Sequence, residues 1–175
     1  MRRLIPGAMA IALAFAHSGC KRPQPSVDII EDEHQPALSS VHAANPRAAA
    51  QLLSGFHELE GNSWRWTKGK FSVILETPKG AAGNGAQLEL KFAVPEPVIA
   101  RRKAVTLLVS VEGQALAPET YTMPGEHTYL RPVPASALSA GPVKVDFALD
   151  KYLASGEIET RELGVVFTSA ALLPK

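Results

Sequence analysis

Trp64 and Trp66 are the two tryptophans of a 175-residue chain, and Arg65 stands between them. On a strand, successive side chains point to opposite faces, so both indoles would lie on one side and the guanidinium on the other. Set in solvent, such a pair can stack on sugar rings, while Arg65 can grip a carboxylated or phosphorylated group through its planar fork. Turned inward, the same pair forms two core anchors in a chain with only 6% aromatics. The inward habit of aromatic side chains weighs toward that second reading, and both stay open at this point. Glu58, Arg65, Arg161 and Glu162 would join the first and last strands in a charge network, a role that more often staples strand ends than binds ligands.

Other residue types with chemistry lack companions at the needed spacing. Glu58, Glu60, Asp146, Asp150 and Glu162 supply carboxylates, but glycoside hydrolysis needs two of them about 5–9.5 Å apart across a cleft. His57 and His127 have no third residue at metal-like spacing, so no metal site is expected. Gly80 to Gly85 (GAAGNG) lacks the Lys-Ser/Thr of a phosphate loop and precedes a strand where that loop needs a helix, so it reads as a hairpin tip. No Gly-x-Ser-x-Gly elbow occurs. A non-catalytic protein without cofactor is the expectation.

Charge excludes nucleic acid as a partner. The chain has 18 Lys and Arg against 17 Asp and Glu, and its one basic triplet after Arg22, Arg101-Arg102-Lys103, reads as a solvated turn. The single cysteine, Cys20, leaves no internal disulfide. Ahead of it, Arg2 and Arg3 supply positive charge, and Leu4 to Ala16 is an uncharged run of 13 residues. That run suits the apolar region of a signal peptide and falls short of the roughly 20 residues needed to span a bilayer. Ser18-Gly19-Cys20 resembles the lipobox of bacterial lipoproteins, with His17 where an aliphatic residue is usual. The resemblance implies that residues 1–19 leave as a signal peptide and that Cys20 is lipidated and tethers the chain to a membrane. Lys21, rather than Asp, follows the cysteine and implies an outer-membrane address. The alternative is ordinary secretory cleavage near Ala16-His17-Ser18-Gly19 with a free thiol. Once Arg2 and Arg3 are gone, 16 basic residues face 17 acidic ones.

The elements that must position these residues follow from periodicity. Residues 20–44 read as a disordered tether, interrupted by Pro23, Pro25 and Pro36, with an acidic knot at Glu31-Asp32-Glu33 and solvated His34 and His42. Asn45-Pro46 predicts a helix start, with Arg47 to Ser54 helical and Gly55 closing it. Period-two alternation then runs through Phe71-Val73-Leu75, Leu88-Leu90-Phe92-Val94 and Val143-Val145-Phe147-Leu149. Val105 to Val111, apolar throughout, suits a central strand. Leu163 to Leu173 reads as a last strand broken near Ser169. Glu112-Gly113 predicts a tight hairpin and Pro124-Gly125-Glu126 a reversal. Pro132 to Leu138 predicts a loop with one helical turn, ended by Gly141-Pro142. About seven to nine strands at this spacing predict an all-β fold over 45–175, an antiparallel β-sandwich of jelly-roll type.

Gly55-Phe56-His57 with Glu58, then Trp64-Arg65-Trp66, Val109-Ser110-Val111-Glu112-Gly113 and Arg161-Glu162-Leu163-Gly164, form an ordered set over residues 55–173. The set is similar to a small β-sandwich module of bacterial envelope lipoproteins and of the tails of some polysaccharide-related glycosyltransferases. That resemblance implies a galactose-binding-like or jelly-roll fold and carries no defined binding residues with it. The functional expectation is a lipid-anchored envelope protein that binds a glycan or an envelope protein. An accessory subunit or small hydrolase of polysaccharide processing, or a purely structural envelope protein, are the alternatives.

Overall fold

A computed structural model describes residues 36–175. The expected signal peptide 1–19, Cys20 and the tether as far as residue 35 lie outside the described residues. The fold is all-β and antiparallel, a sheet curled into a sandwich-like body. Among the described residues the strands are β1 (Ser40–His42), β2 (Leu52–Glu60), β3 (Trp64–Glu76), β4 (Ala86–Val94), β5 (Val105–Val111), β6 (Gln114–Ala115), β7 (Glu119–Tyr121), β8 (Gly125–Val133), β9 (Pro142–Leu149) and β10 (Val166–Pro174). They pair in the order β6-β5-β9-β3-β10-β4-β8, with β1 on β10, β2 on β3 and β7 on β5.

Alternation builds the inner face. Leu88, Leu90, Phe92 and Val94 of β4 are buried, as are Val105, Leu107, Val109 and Val111 of β5 and Val143, Val145, Phe147 and Leu149 of β9. β5 is hydrogen-bonded on both sides, as a central strand must be, yet Leu108 on its outer face is 47% exposed. Its apolar run therefore does not signal burial on both faces.

The curl originates at β3. Its first residues, Arg65 and Trp66, pair with β10, whereas Lys70 to Glu76 pair with β9. β2 runs along the opposite edge throughout. The strand therefore forks, sending β10-β4-β8 into one layer and β9-β5 into the other. Such corners are where strands pass between the sheets of a sandwich. Between the pairs Ser54–Ser72 and Phe56–Thr67, β2 advances two residues while β3 advances five, so the hairpin is sharply irregular at the corner. The layers enclose one core, in which Phe56 packs on Phe71 (5.6 Å) and Phe167 (5.0 Å), and Phe71 stacks on Phe147 (4.8 Å). At the far side, Tyr121 of β7 meets Phe92 of β4 edge-on at 5.1 Å. Arg131 of β8 reaches Glu119 of β7 at 2.6 Å. Burial here pushes the Tyr129 phenol up to about 12, against the opposing pull of Arg131.

Four local expectations are corrected. Ser40–His42 is a strand on β10 with Val41 fully buried, so the folded body begins before the expected tether end at residue 44. The helix predicted over 47–54 is a 3-10 helix, Pro46–Gln51, with the Asn45 side chain accepting from the Arg47 amide at 3.0 Å. It stops early because the buried Gln51 side chain donates to the carbonyls of Leu38 and Ile74, and Leu52 then enters the sheet. Arg101-Arg102-Lys103 closes a helix, α2 (Glu96–Arg102), rather than forming a turn. Arg102 donates to the Tyr152 carbonyl (2.8 Å) and pairs with Glu157, pinning the 152–157 loop. Gly80–Gly85 holds a short helix, α1 (Ala81–Asn84), and crosses between β3 and β4, which have β10 between them, so it is not a hairpin tip. The Glu112-Gly113 hairpin, the helical turn at Ala135–Ala137 and the irregularity between Phe167 and Ser169 fall where expected.

Candidate functional site

The outer face of β3, β9 and β5 carries a groove of about 470 Å³, within the range of small-ligand sites. Strand register fixes its centre. Ser54 of β2 lies opposite Ser72 of β3, Ser72 opposite Asp146 of β9, Asp146 opposite Ser110 of β5, and Ser110 opposite Ala115 of β6. Three hydroxyls and a carboxylate thus form one row across the strands. The next row places Lys70, Ala148 and Leu108 side by side, and Lys144 lies opposite Ile74 on the other flank. Short side chains on hydrogen-bonded strands have little freedom to lose, so their polar atoms are set before a ligand arrives.

Within the row, the Ser54 and Ser72 hydroxyls share a hydrogen bond of 2.8 Å. Asp146 is engaged by Lys144 Nζ at 2.9 Å, with both side chains about half exposed. Lys70 is in none of the ion pairs among the described residues. Phe71, Val109 and Phe147 alternate with this row, so their side chains point into the core and only their main chain borders the groove, whose apolar side chains are Leu108, Ala115 and Ala148. The resulting surface has hydroxyls, one acceptor carboxylate and two ammonium groups beside a small apolar patch. It can bind a polar ligand through several neutral and charge-assisted hydrogen bonds.

The residues singled out from sequence lie elsewhere. Trp64 and Trp66 share a face of β3 and contact each other edge-to-face at 6.4 Å and 77°. Perpendicular rings do not form a flat platform for a sugar. Trp66 packs against the core cluster, whereas Trp64 is partly buried outside it, over the Gly61 turn. Arg65, on the opposite face, donates to the carbonyls of His57 (3.0 Å) and Ala43 (3.3 Å), which fastens the entering segment to β3.

The charged residues go to different partners instead of forming one network. Arg161 reaches Glu60 at 2.6 Å and also pairs with Glu159. The hydrogen bond from Arg161 holds the Glu159 carboxyl below its usual range. Glu162, its neighbour, has a backbone role: Oε1 accepts from the Gly69 amide at 2.7 Å, and its carbonyl accepts from His57 Nε2 at 2.6 Å. Gly69 sits where β3 leaves β10 before joining β9, so its amide faces the opening of the fork without a strand partner. A carboxylate satisfies it. Glu58 is exposed and makes none of these bonds. Cys20 lies outside the described residues.

Sequence reading missed the groove because Ser54, Ser72, Ser110 and Asp146 are scattered over almost a hundred positions. The usable signal was period two: each is the polar partner of an inward apolar residue, and register alone joins them. Among the described residues, no group of three His, Cys, Asp or Glu is placed to hold a metal ion.

No protein-family model matches the chain, and no curated protein matches it. The class defined by the fold is an antiparallel, sandwich-like all-β domain.

Proposed function

We propose that the chain is an exported, lipid-anchored protein of the cell envelope whose β-sandwich binds a glycan without catalysis. The anchor is Cys20 at the end of the apolar leader, and Lys21 after it favours the outer membrane. The observation that carries the binding reading is the row Ser54–Ser72–Asp146–Ser110, fixed in register beside the exposed Leu108. Sugars present alternating hydroxyls and apolar C–H faces, and this row offers hydroxyls and a carboxylate beside an apolar patch. A single carboxylate paired with a lysine does not supply the two separated acids that hydrolysis requires.

Two experiments test it. In cells fed a labelled fatty acid, the parent chain is expected in the membrane fraction with label, and Cys20→Ser is expected to be unlabelled and released. An unlabelled, soluble parent would remove the anchor. Separately, the full chain is screened against a panel of neutral and acidic polysaccharides. The Asp146→Asn, Ser110→Ala double variant is expected to bind any captured glycan at least about tenfold more weakly, as loss of two hydrogen bonds implies. Undiminished binding with an unchanged melting curve would place the glycan outside the groove.

A further inference from the structure

The groove has charge as well as hydroxyls, and its charges sit at opposite ends. Lys70 is opposite Ala148, and Lys144 is opposite Ile74, so the lysines stand four residues apart along the strand direction, with the Ser72–Asp146 row between them. Four strand residues span about 13 Å. Both lysines are exposed. Lys70 has no ion-pair partner among the described residues, and the pairing of Lys144 with Asp146 is half exposed and therefore weak enough to exchange. Asp146 is the sole acid lining the groove. A ligand along the strands would thus meet an ammonium group at each end and hydroxyls in the middle. Single-stranded nucleic acid fits poorly, because binding it relies on exposed aromatic platforms and the rings at this groove, Phe71 and Phe147, are buried.

We propose that the groove takes an acidic polysaccharide, a sugar chain bearing carboxylates. It lies along β3 and β9 with one carboxylate on Lys70, another on Lys144, and the intervening sugar hydroxyls on Ser54, Ser110 and Asp146, while the buried Ser72 hydroxyl holds Ser54 in place. On binding, Lys144 turns from Asp146 to the incoming carboxylate, and Asp146 accepts a sugar hydroxyl in its place. This inference rests on the glycan reading above and specifies its charge.

The test compares polygalacturonate, with a carboxylate on each sugar, and neutral dextran of similar length, titrated into the full chain in detergent. Polygalacturonate is expected to bind at least about tenfold more tightly than dextran. Its binding should weaken about tenfold as salt rises from about 0.05 M to about 0.5 M, because the screening length falls from about 14 Å to about 4 Å, shorter than the span between the two lysines. Lys70→Gln and Lys144→Gln are each expected to weaken polygalacturonate binding about fivefold or more, and by more than they change dextran binding, with melting curves like the parent's. Lys70→Arg should retain binding. If both polymers bind alike and the lysine variants match the parent, the acidic specificity is overturned and the glycan reading stands. If polygalacturonate binds but the lysine variants do not weaken it, the carboxylates are held elsewhere and the inference is overturned. If neither polymer binds, nor any glycan of the wider panel, both readings fall.

Discussion

Gly55→Ala is expected to remove about 2–5 kcal/mol of folding stability, combining the cost of a left-handed backbone with a side chain and that of overpacking. Gly55 sits at the corner of the β2–β3 hairpin with φ +79°. A Cβ there would lie 2.0 Å from the Lys70 carbonyl oxygen and 2.6 Å from the Phe71 Cα. Backbone, unlike the end of a flexible side chain, cannot step aside without moving both layers. Urea denaturation of the variant should show a much lower midpoint, or no folded baseline at all. A midpoint within about 0.5 kcal/mol of the parent would show that the corner accepts a side chain.

Phe71→Ala should be comparably damaging, at about 3–5 kcal/mol, because it removes the middle of an aromatic run and leaves a cavity. Phe71 touches Phe56 on one side and Phe147 on the other, and Phe56 carries the contact on to Phe167 of β10. The substitution thus cuts the packing between the layers, and against a typical total of about 5–15 kcal/mol it is a large fraction. Leu108→Ala, on the outer face of β5, is the control and should shift stability by no more than about 0.5 kcal/mol. Equal losses from the two would mean that the groove face is as buried as the core in the native protein.

The strands were legible where one face is wet. Leu88-Leu90-Phe92-Val94 and Val143-Val145-Phe147-Leu149 alternate with polar residues, and each is a strand with that face inward. Legibility failed where tertiary pairing overrode local preference. Arg47 to Ser54 reads as helix from its alanines, yet its last residues are claimed by pairing with Val73 and Ser72. Ser40–His42 is too short to show a period, and only its partner β10 makes it a strand. Helix α2 was masked by the basic triplet at its end. Glu162 and Arg161 were visible as charges, but whether they would meet each other or the backbone depended on the fork in β3, which no local pattern encodes. The groove was the least legible feature, since its row exists only once four strands are in register.

β10, the last described strand in chain order, has three partners, for it lies between β4 and β3 and carries β1 as well. A growing chain that still lacks Val166–Pro174 can pair β3 with β9 and β5, but has no strand to join β4 and β8 to β3. β1, β3 and β4 must wait with an unpaired edge until β10 arrives, and these pairings span long loops that close slowly. Assembly is therefore timed to the arrival of β10, and a chaperone that shields exposed strands would have its greatest effect in that interval.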